Sequence, residues 1–361
     1  MKTQIKSQKF IRNGVVAIGL LLASCSKTDS PAPMIPPVII PVTPTVKAYI
    51  PDGWKALQSF DETRFCAISE AVGEKIYAGL GYNNNNFNSV TNDWYEYDVA
   101  SNKWTAKASF PGFKRANAIS FIINNKIYVG MGTNYNRVSL ADVFNDFYEY
   151  DPATDKWTKK ADFPAEGRDQ SVFFTIGNKG YMGTGNTNPS NSTSVRSDFW
   201  EYDPATDKWA QKASLPKTSR CRAFGFGVGT KGYLGGGENA SVSKLGDFYQ
   251  YDPAKDSWIS VADLPVAIAR SRGFAFNANG YISGGLTGFD ATDVAGVVYK
   301  YNVSANTWEK ISDVGVVDDT AKGRFYQIAA VTKSKVYIGL GASGNSETLK
   351  NQKDFYEYTP K

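Results

Sequence analysis

The sequence predicts an all-β fold: a six-bladed β-propeller with four antiparallel strands per blade, its last blade closed by an N-terminal strand around Trp54. Three regularities in the 361 residues carry that expectation. Tyrosine recurs at Tyr77, Tyr128, Tyr181, Tyr233, Tyr281 and Tyr337, and glycine stands four residues after each, at Gly81, Gly132, Gly185, Gly237, Gly285 and Gly341. A second series, Tyr97, Tyr150, Tyr202, Tyr251, Tyr301 and Tyr358, is followed seven residues later by Trp104, Trp157, Trp209, Trp258 and Trp308 in its first five members. Trp54, ahead of the first repeat in Asp52-Gly53-Trp54-Lys55-Ala56-Leu57, stands in for the sixth. Composition agrees: 14% aromatic residues can fill a large core, and 33 glycines suit many tight turns.

At the N-terminus, Lys2, Lys6, Lys9 and Arg12 precede an apolar run from Gly14 to Ala23, too short to span a bilayer and suited to a signal-peptide core. Leu22-Ala23-Ser24-Cys25 resembles the bacterial lipobox. That resemblance implies residues 1–24 as a cleaved signal peptide and Cys25 as the lipidated residue that joins the protein to a membrane. Several acyl chains on one cysteine anchor stably, since each buried methylene adds ~0.8 kcal/mol. Residues 25–50 read as a tether, with Pro31, Pro33, Pro36, Pro37, Pro41 and Pro44 excluding helix and sheet interior. A polyproline-like stretch of about 20 residues reaches ~60 Å at ~3.1 Å per residue. Ser26 after the cysteine, in place of aspartate, implies outer-membrane sorting by resemblance to other lipoproteins, on either its periplasmic or its cell-surface face. The propeller is expected over residues 51–361.

The formal charge of +5 belongs mostly to the leader: without residues 1–24, 36 basic residues stand against 35 acidic ones. A body this close to neutral carries no nucleic-acid footprint. The chain has no histidine, which removes imidazole metal centres, Ser-His and Cys-His nucleophiles and His general bases. No cofactor or metal is expected. Cys66 and Cys221 fall in the first and fourth repeats, across the ring from each other. A disulfide needs Cα atoms within ~7 Å, so both are expected as buried small hydrophobes.

Each repeat reads as a meander of four short strands. Lys126-Ile127-Tyr128-Val129 alternates as a strand does, and Asp151-Pro152-Ala153-Thr154-Asp155 supplies turn chemistry between Tyr150 and Trp157. One such sheet cannot cover both its faces, but sheets packed radially cover one another. The repeat length of 49 to 53 residues between tryptophans, the glycine pairs, the Tyr-to-Trp spacing and the Pro-x-x-x-Arg segments resemble the kelch family over residues 52–361. The tyrosines, tryptophans and glycines are read as scaffold. Galactose oxidase shares such blades, but its copper requires histidine ligands, which this chain lacks.

Function is expected on the variable loops. They include Asn84 in the first blade, Tyr135 in the second, Asn188 in the third and Glu238 in the fourth. Their amides, hydroxyls and aromatics suit a polyhydroxylated ligand, although Asn and Ser are also ordinary loop residues. An arginine stands thirteen residues before five of the first-series tyrosines: Arg64, Arg115, Arg168, Arg220 and Arg324. Arg270 is eleven before Tyr281, as a turn two residues shorter would give. The six are expected around one mouth of the channel and, with Arg272, are candidate ligand-binding residues. Asp93, Asp146, Asp198, Asp247 and Asp354 open the third strands and can pair with them, whereas blade five has Val297 there. Arg270 and Arg272 are thus expected to be free for an anion.

The sequence therefore reads as a monomeric, non-enzymatic binding module or interaction scaffold, engaging a protein or glycan through its loop face. The alternative is a metal-independent sugar mutarotase. The sialic acid mutarotases are similar to this chain in being secreted six-bladed kelch proteins. Resemblance to them implies a working glutamate after a glycine with an arginine six residues on; Gly237-Glu238 fits, and Lys244 replaces the arginine.

Overall fold

Each blade of the computed structural model is a four-stranded antiparallel meander, and six of them close a ring around a central channel. The structure describes residues 53–83, 89–134, 142–288, 294–313, 323–343 and 350–360; the leader, Cys25 and the whole tether, Asn84 and Tyr135 lie outside these residues. Blade two shows the pattern, running from the innermost strand Ile119–Ile123 through Lys126–Gly130 and Phe147–Asp151 to the outer strand Lys156–Lys160.

The second Tyr series and its tryptophans are cross-strand partners on the outer hairpin, Tyr97↔Trp104, Tyr150↔Trp157, Tyr202↔Trp209, Tyr251↔Trp258 and Tyr301↔Trp308. The sixth pair forms across the closure, Trp54↔Tyr358, where Trp54–Ala56 adds to Phe355–Tyr358. Trp54 stacks on Tyr358 at 4.5 Å and donates Nε1–H to Ser312 Oγ at 3.1 Å in blade five.

Blades are clamped by a repeated pair of bonds. Trp157 donates its indole N–H to Ala108 O, and the Ala108 N–H is accepted by Asp155 Oδ1, which also takes the Tyr150 hydroxyl proton. Trp209 with Asp207, Trp258 with Asp256 and Trp308 with Asn306 repeat the arrangement on Ala161, Ala213 and Ala262. Gly81 is required for a related reason. It sits at φ 90°, its N–H bonds to Arg115 O of the next blade, and a Cβ there would lie 2.6 Å from Phe65 O. Cys66 and Cys221 are free thiols, both buried.

Trp54→Ala removes the stacking partner at the seam. It is expected to destabilise the domain by about 3–5 kcal/mol, the range for deleting a buried Trp side chain, measured by urea unfolding. A loss under about 1 kcal/mol would mean that the strand is not what holds the ring shut.

Candidate ligand site at the channel mouth

The residues thirteen before each first-series tyrosine are structurally equivalent, because their carbonyls accept the N–H of the preceding blade's glycine. Arg115 O, Arg168 O, Arg220 O, Arg324 O and Arg64 O do so, and the sixth is Ile268 O, bonded to Gly237 N. Blade five has therefore not lost two residues from a turn. It keeps the register and replaces the arginine with Ile268, which is fully buried and packs with Val297 in one apolar cluster. Arg270 belongs to a different ring of positions.

Arg64, Arg115, Arg168, Arg220 and Arg324 are scaffold. Each is buried and bound bidentately by its own blade's aspartate, as Arg115 is by Asp146 at 2.5 and 2.8 Å and Arg220 by Asp247 at 2.6 and 2.7 Å. Asp93, Asp198 and Asp354 hold the other three in the same way. Each arginine also donates to a backbone carbonyl, Leu80 O in the case of Arg64. Burial pushes the Asp198 and Asp247 carboxyls up, but their arginines, together with hydrogen bonds from Trp200 and Tyr249, offset it and hold them below the usual range.

The mouth is lined two residues further on. Cys66, Asn117, Gln170, Arg222, Arg270 and Tyr326 all adopt left-handed backbone, with φ between 52° (Tyr326) and 61° (Arg270). None is glycine, and such conformations cost on the order of 1–3 kcal/mol each unless the surroundings fix them. Here a closed circle of hydrogen bonds fixes them. Each N–H bonds to the carbonyl of its counterpart one blade earlier, from Asn117 N to Cys66 O at 3.1 Å around to Cys66 N and Tyr326 O at 3.3 Å.

This geometry aims Arg222 and Arg270 from adjacent blades at one carboxylate, Glu238. Arg222 Nη1 binds Glu238 Oε2; Lys244 Nζ and Arg270 Nε lie 3.1 and 3.3 Å from Oε1. Arg270 is thus paired, contrary to the expectation from Val297, because the residue that lost its acid was Ile268. Burial raises the Glu238 carboxyl, but Arg270, Arg222 and Lys244 together outweigh it and hold it below the usual carboxylate range. The Glu238 side chain is 1% exposed, whereas Arg222 and Arg270 keep 23% and 24% open. The arginines, with Cys66, Asn117, Gln170 and Tyr326, line a small chamber of about 90 Å³. Arg270 also lies over the Tyr326 ring, 5.4 Å from its centroid.

Asp169, in the neighbouring blade, shifts the other way. Burial raises its carboxyl to about 7, only partly countered by Arg222 and by a 3.4 Å bond from Asn117 Nδ2. Nothing in the spacing of the sequence marked Arg222, Asp169 or Tyr326. Asn188 is exposed and closes its own loop, its side chain accepting the Ser190 N–H.

A ring of four-stranded blades pinned by Tyr–Trp pairs and turn glycines defines the class: this chain belongs to the kelch-repeat family, and residues 66–285 match the KLHDC2/KLHL20/DRC7 Kelch-repeats domain. Among individual proteins, it is 29% identical over 198 aligned residues to the N-acetylneuraminate epimerase of Shigella boydii serotype 4, covering 46% of this chain and 52% of the relative. The N-acetylneuraminate epimerase of Escherichia coli strain K12 is 28% identical over the same shares. The chain thus spans about half the length of the curated relatives it matches. The solved structure titled "Structure of YjhT" superposes with a TM-score of 0.70 over 83% of this chain and 95% of that one, at 20% identity, and shares the fold.

Arg115→Ala strands a carboxylate and is expected to cost about 3–5 kcal/mol, whereas the double change Arg115→Ile with Asp146→Val, which copies Ile268 and Val297, restores most of that in chemical unfolding. Equal losses in the two proteins would deny that the ion pair is exchangeable. For Asp169, the unfolded carboxyl ionises near ~3.9 and the folded one near 7. Between these values only the folded state keeps the proton, so its contribution to stability falls as pH rises, by at most about 1.4 kcal/mol per pH unit, and levels off above 7. Asp169→Asn should remove about half of the slope in urea midpoints taken between about pH 5 and pH 8, since Glu70 is raised to about 7 likewise; an unchanged slope would refute it.

Proposed function

We propose that this protein is a non-enzymatic binding module, lipid-anchored in the bacterial envelope, that holds a carboxylate-bearing glycan at the channel mouth. The observation that carries this reading is the disposition of charge: three cations surround one buried carboxylate, and the two guanidinium groups keep surface open. An arginine fork suits a carboxylate, and a positive excess at a concave mouth attracts anions. The Asn- and Ser-rich loops of blades three and four supply partners for hydroxyls. The lipobox-like leader and the proline tether support placement clear of a membrane, at the outer membrane for preference.

A mutarotase is the second reading. The relatives named N-acetylneuraminate epimerase favour it, as do two neighbouring carboxyls displaced in opposite directions, a pattern of acid–base pairs. Against it, proton transfer needs hydrogen-bond reach to the sugar, and both Glu238 oxygens are engaged by cations while its side chain is 1% exposed.

N-acetylneuraminate separates the two. Calorimetry is expected to show binding that weakens about 10- to 100-fold in Arg222→Gln and Arg270→Gln, the loss of a charged hydrogen bond, with no acceleration of anomer exchange by NMR. Acceleration abolished by Glu238→Gln would establish the mutarotase instead. Absence of binding, both to this sugar and on an acidic-glycan array, would overturn the module reading.

A further inference from the structure

Arg272 bars the channel below the mouth. It opens the innermost strand of blade five, Arg272–Phe276, yet its guanidinium lies over the Phe173 ring of blade three, 4.8 Å from the centroid. Its Nη2 reaches Ser69 O of blade one at 3.4 Å. Phe173 and Arg272 line both the mouth chamber and a second chamber of about 230 Å³, so this bar separates them. The second chamber runs past Glu70 and Ser120 toward the end where the inner hairpins turn.

The fold satisfies five buried arginines with bidentate aspartates, but not this one. Among the described residues no carboxylate lies within ion-pair distance of Arg272, and its Nε has no hydrogen-bond partner. Among the described residues the only hydrogen bond of its guanidinium is the long one to Ser69 O. Burial lowers its hold on the proton, with Glu70 opposing. Glu70 Oε1 accepts the Ser120 hydroxyl proton at 2.7 Å. Both Arg272 and Glu70 keep surface open to the lumen, and among the described residues lining the chamber only these two have titratable side chains.

We propose that this lower chamber is a second ligand site, distinct from the mouth, for a small hydroxylated carboxylate of monosaccharide size, with the carboxylate on Arg272 and the hydroxyls on Ser120, Glu70 and the strand edges. The volume falls below the roughly 300–1,000 Å³ of drug-sized sites, which sets the size. Gly225, Gly227 and Gly273 line the wall without side chains, leaving backbone groups of the innermost strands accessible as partners.

Glu70 makes the site pH-dependent. Burial raises its carboxyl to about 7, partly countered by Arg272 and Ser120. Ionised, it competes with the ligand for the Arg272 charge; protonated, it leaves that charge free and gains a donor. Anion affinity therefore rises as pH falls through 7.

The experiment is calorimetry of the intact protein with D-glucuronate, with D-glucose as neutral control, at about pH 6 and about pH 8. The expected result is a glucuronate-binding component about tenfold tighter at the lower pH, which Arg272→Gln weakens at least tenfold and which persists when the mouth is disabled by Arg222→Gln. Glu70→Gln should flatten the pH dependence. Should Arg272→Gln not fold, Arg272→Lys replaces it, and weaker binding with the charge retained still assigns the fork. No glucuronate binding, equal binding of D-glucose, or binding lost in Arg222→Gln but intact in the Arg272 variants would overturn the proposal, the last placing the acid at the mouth.

Discussion

Ring closure is the constraint on which the rest of the molecule depends. A four-stranded sheet of this size leaves two apolar faces open, and only a neighbour on each side covers both. The last blade is incomplete until Trp54–Ala56 joins Phe355–Tyr358. The tryptophan and turn-residue clamp then ties successive blades through the same backbone segment, so geometry at one blade is passed to the next. Aromatic rings fill the wedges in edge-to-face contact, as Phe147 does against Tyr202 at 4.8 Å, which combines large apolar burial with a favoured ring geometry.

Closure also explains the strained backbone at the mouth. Six non-glycine residues in the left-handed region would each be costly alone. As a hydrogen-bonded circle they fix one another, and each projects its side chain from a position set by the ring rather than by its own propensity. The scaffold can thus vary the chemistry there freely, from Cys66 and Asn117 to Arg222, Arg270 and Tyr326. The five Arg–Asp pairs behind them are constant in geometry because each guanidinium also bonds to backbone. Ile268 with Val297 shows that an apolar pair fills the same space, in keeping with the modest net gain from buried ion pairs.

The channel is accordingly a graded electrostatic path. At the mouth, cations outnumber the single ionised carboxylate, Glu238. At the bar, Arg272 has no carboxylate within ion-pair distance among the described residues, and it stands above a carboxyl that burial has brought into the neutral range. Two chambers of different size share one wall, and in the lower one the protonation of Glu70 sets the charge open to a ligand.

By itself the sequence determined the six blades, the Tyr–Trp pairing and the closure by Trp54, because each is a spacing repeated along the chain and imposed by strand periodicity; it left the arginine ring open between ligand binding and pairing with the five aspartates, and the structure decided for pairing. The free state of Cys66 and Cys221 was legible for the same reason: blade number fixes distance. The register of blade five was not legible there, because Arg270 lies two residues from Ile268, which holds that register through its backbone carbonyl. Only the tertiary structure decided which side chains meet. Arg222, Arg270, Lys244 and Glu238 come from two adjacent blades, and Arg272, Phe173, Ser69 and Glu70 from three, brought together across the channel at separations that no local pattern encodes. The left-handed ring was equally invisible, since its hydrogen bonds run between blades and none of its members is the glycine by which such backbone is usually recognised.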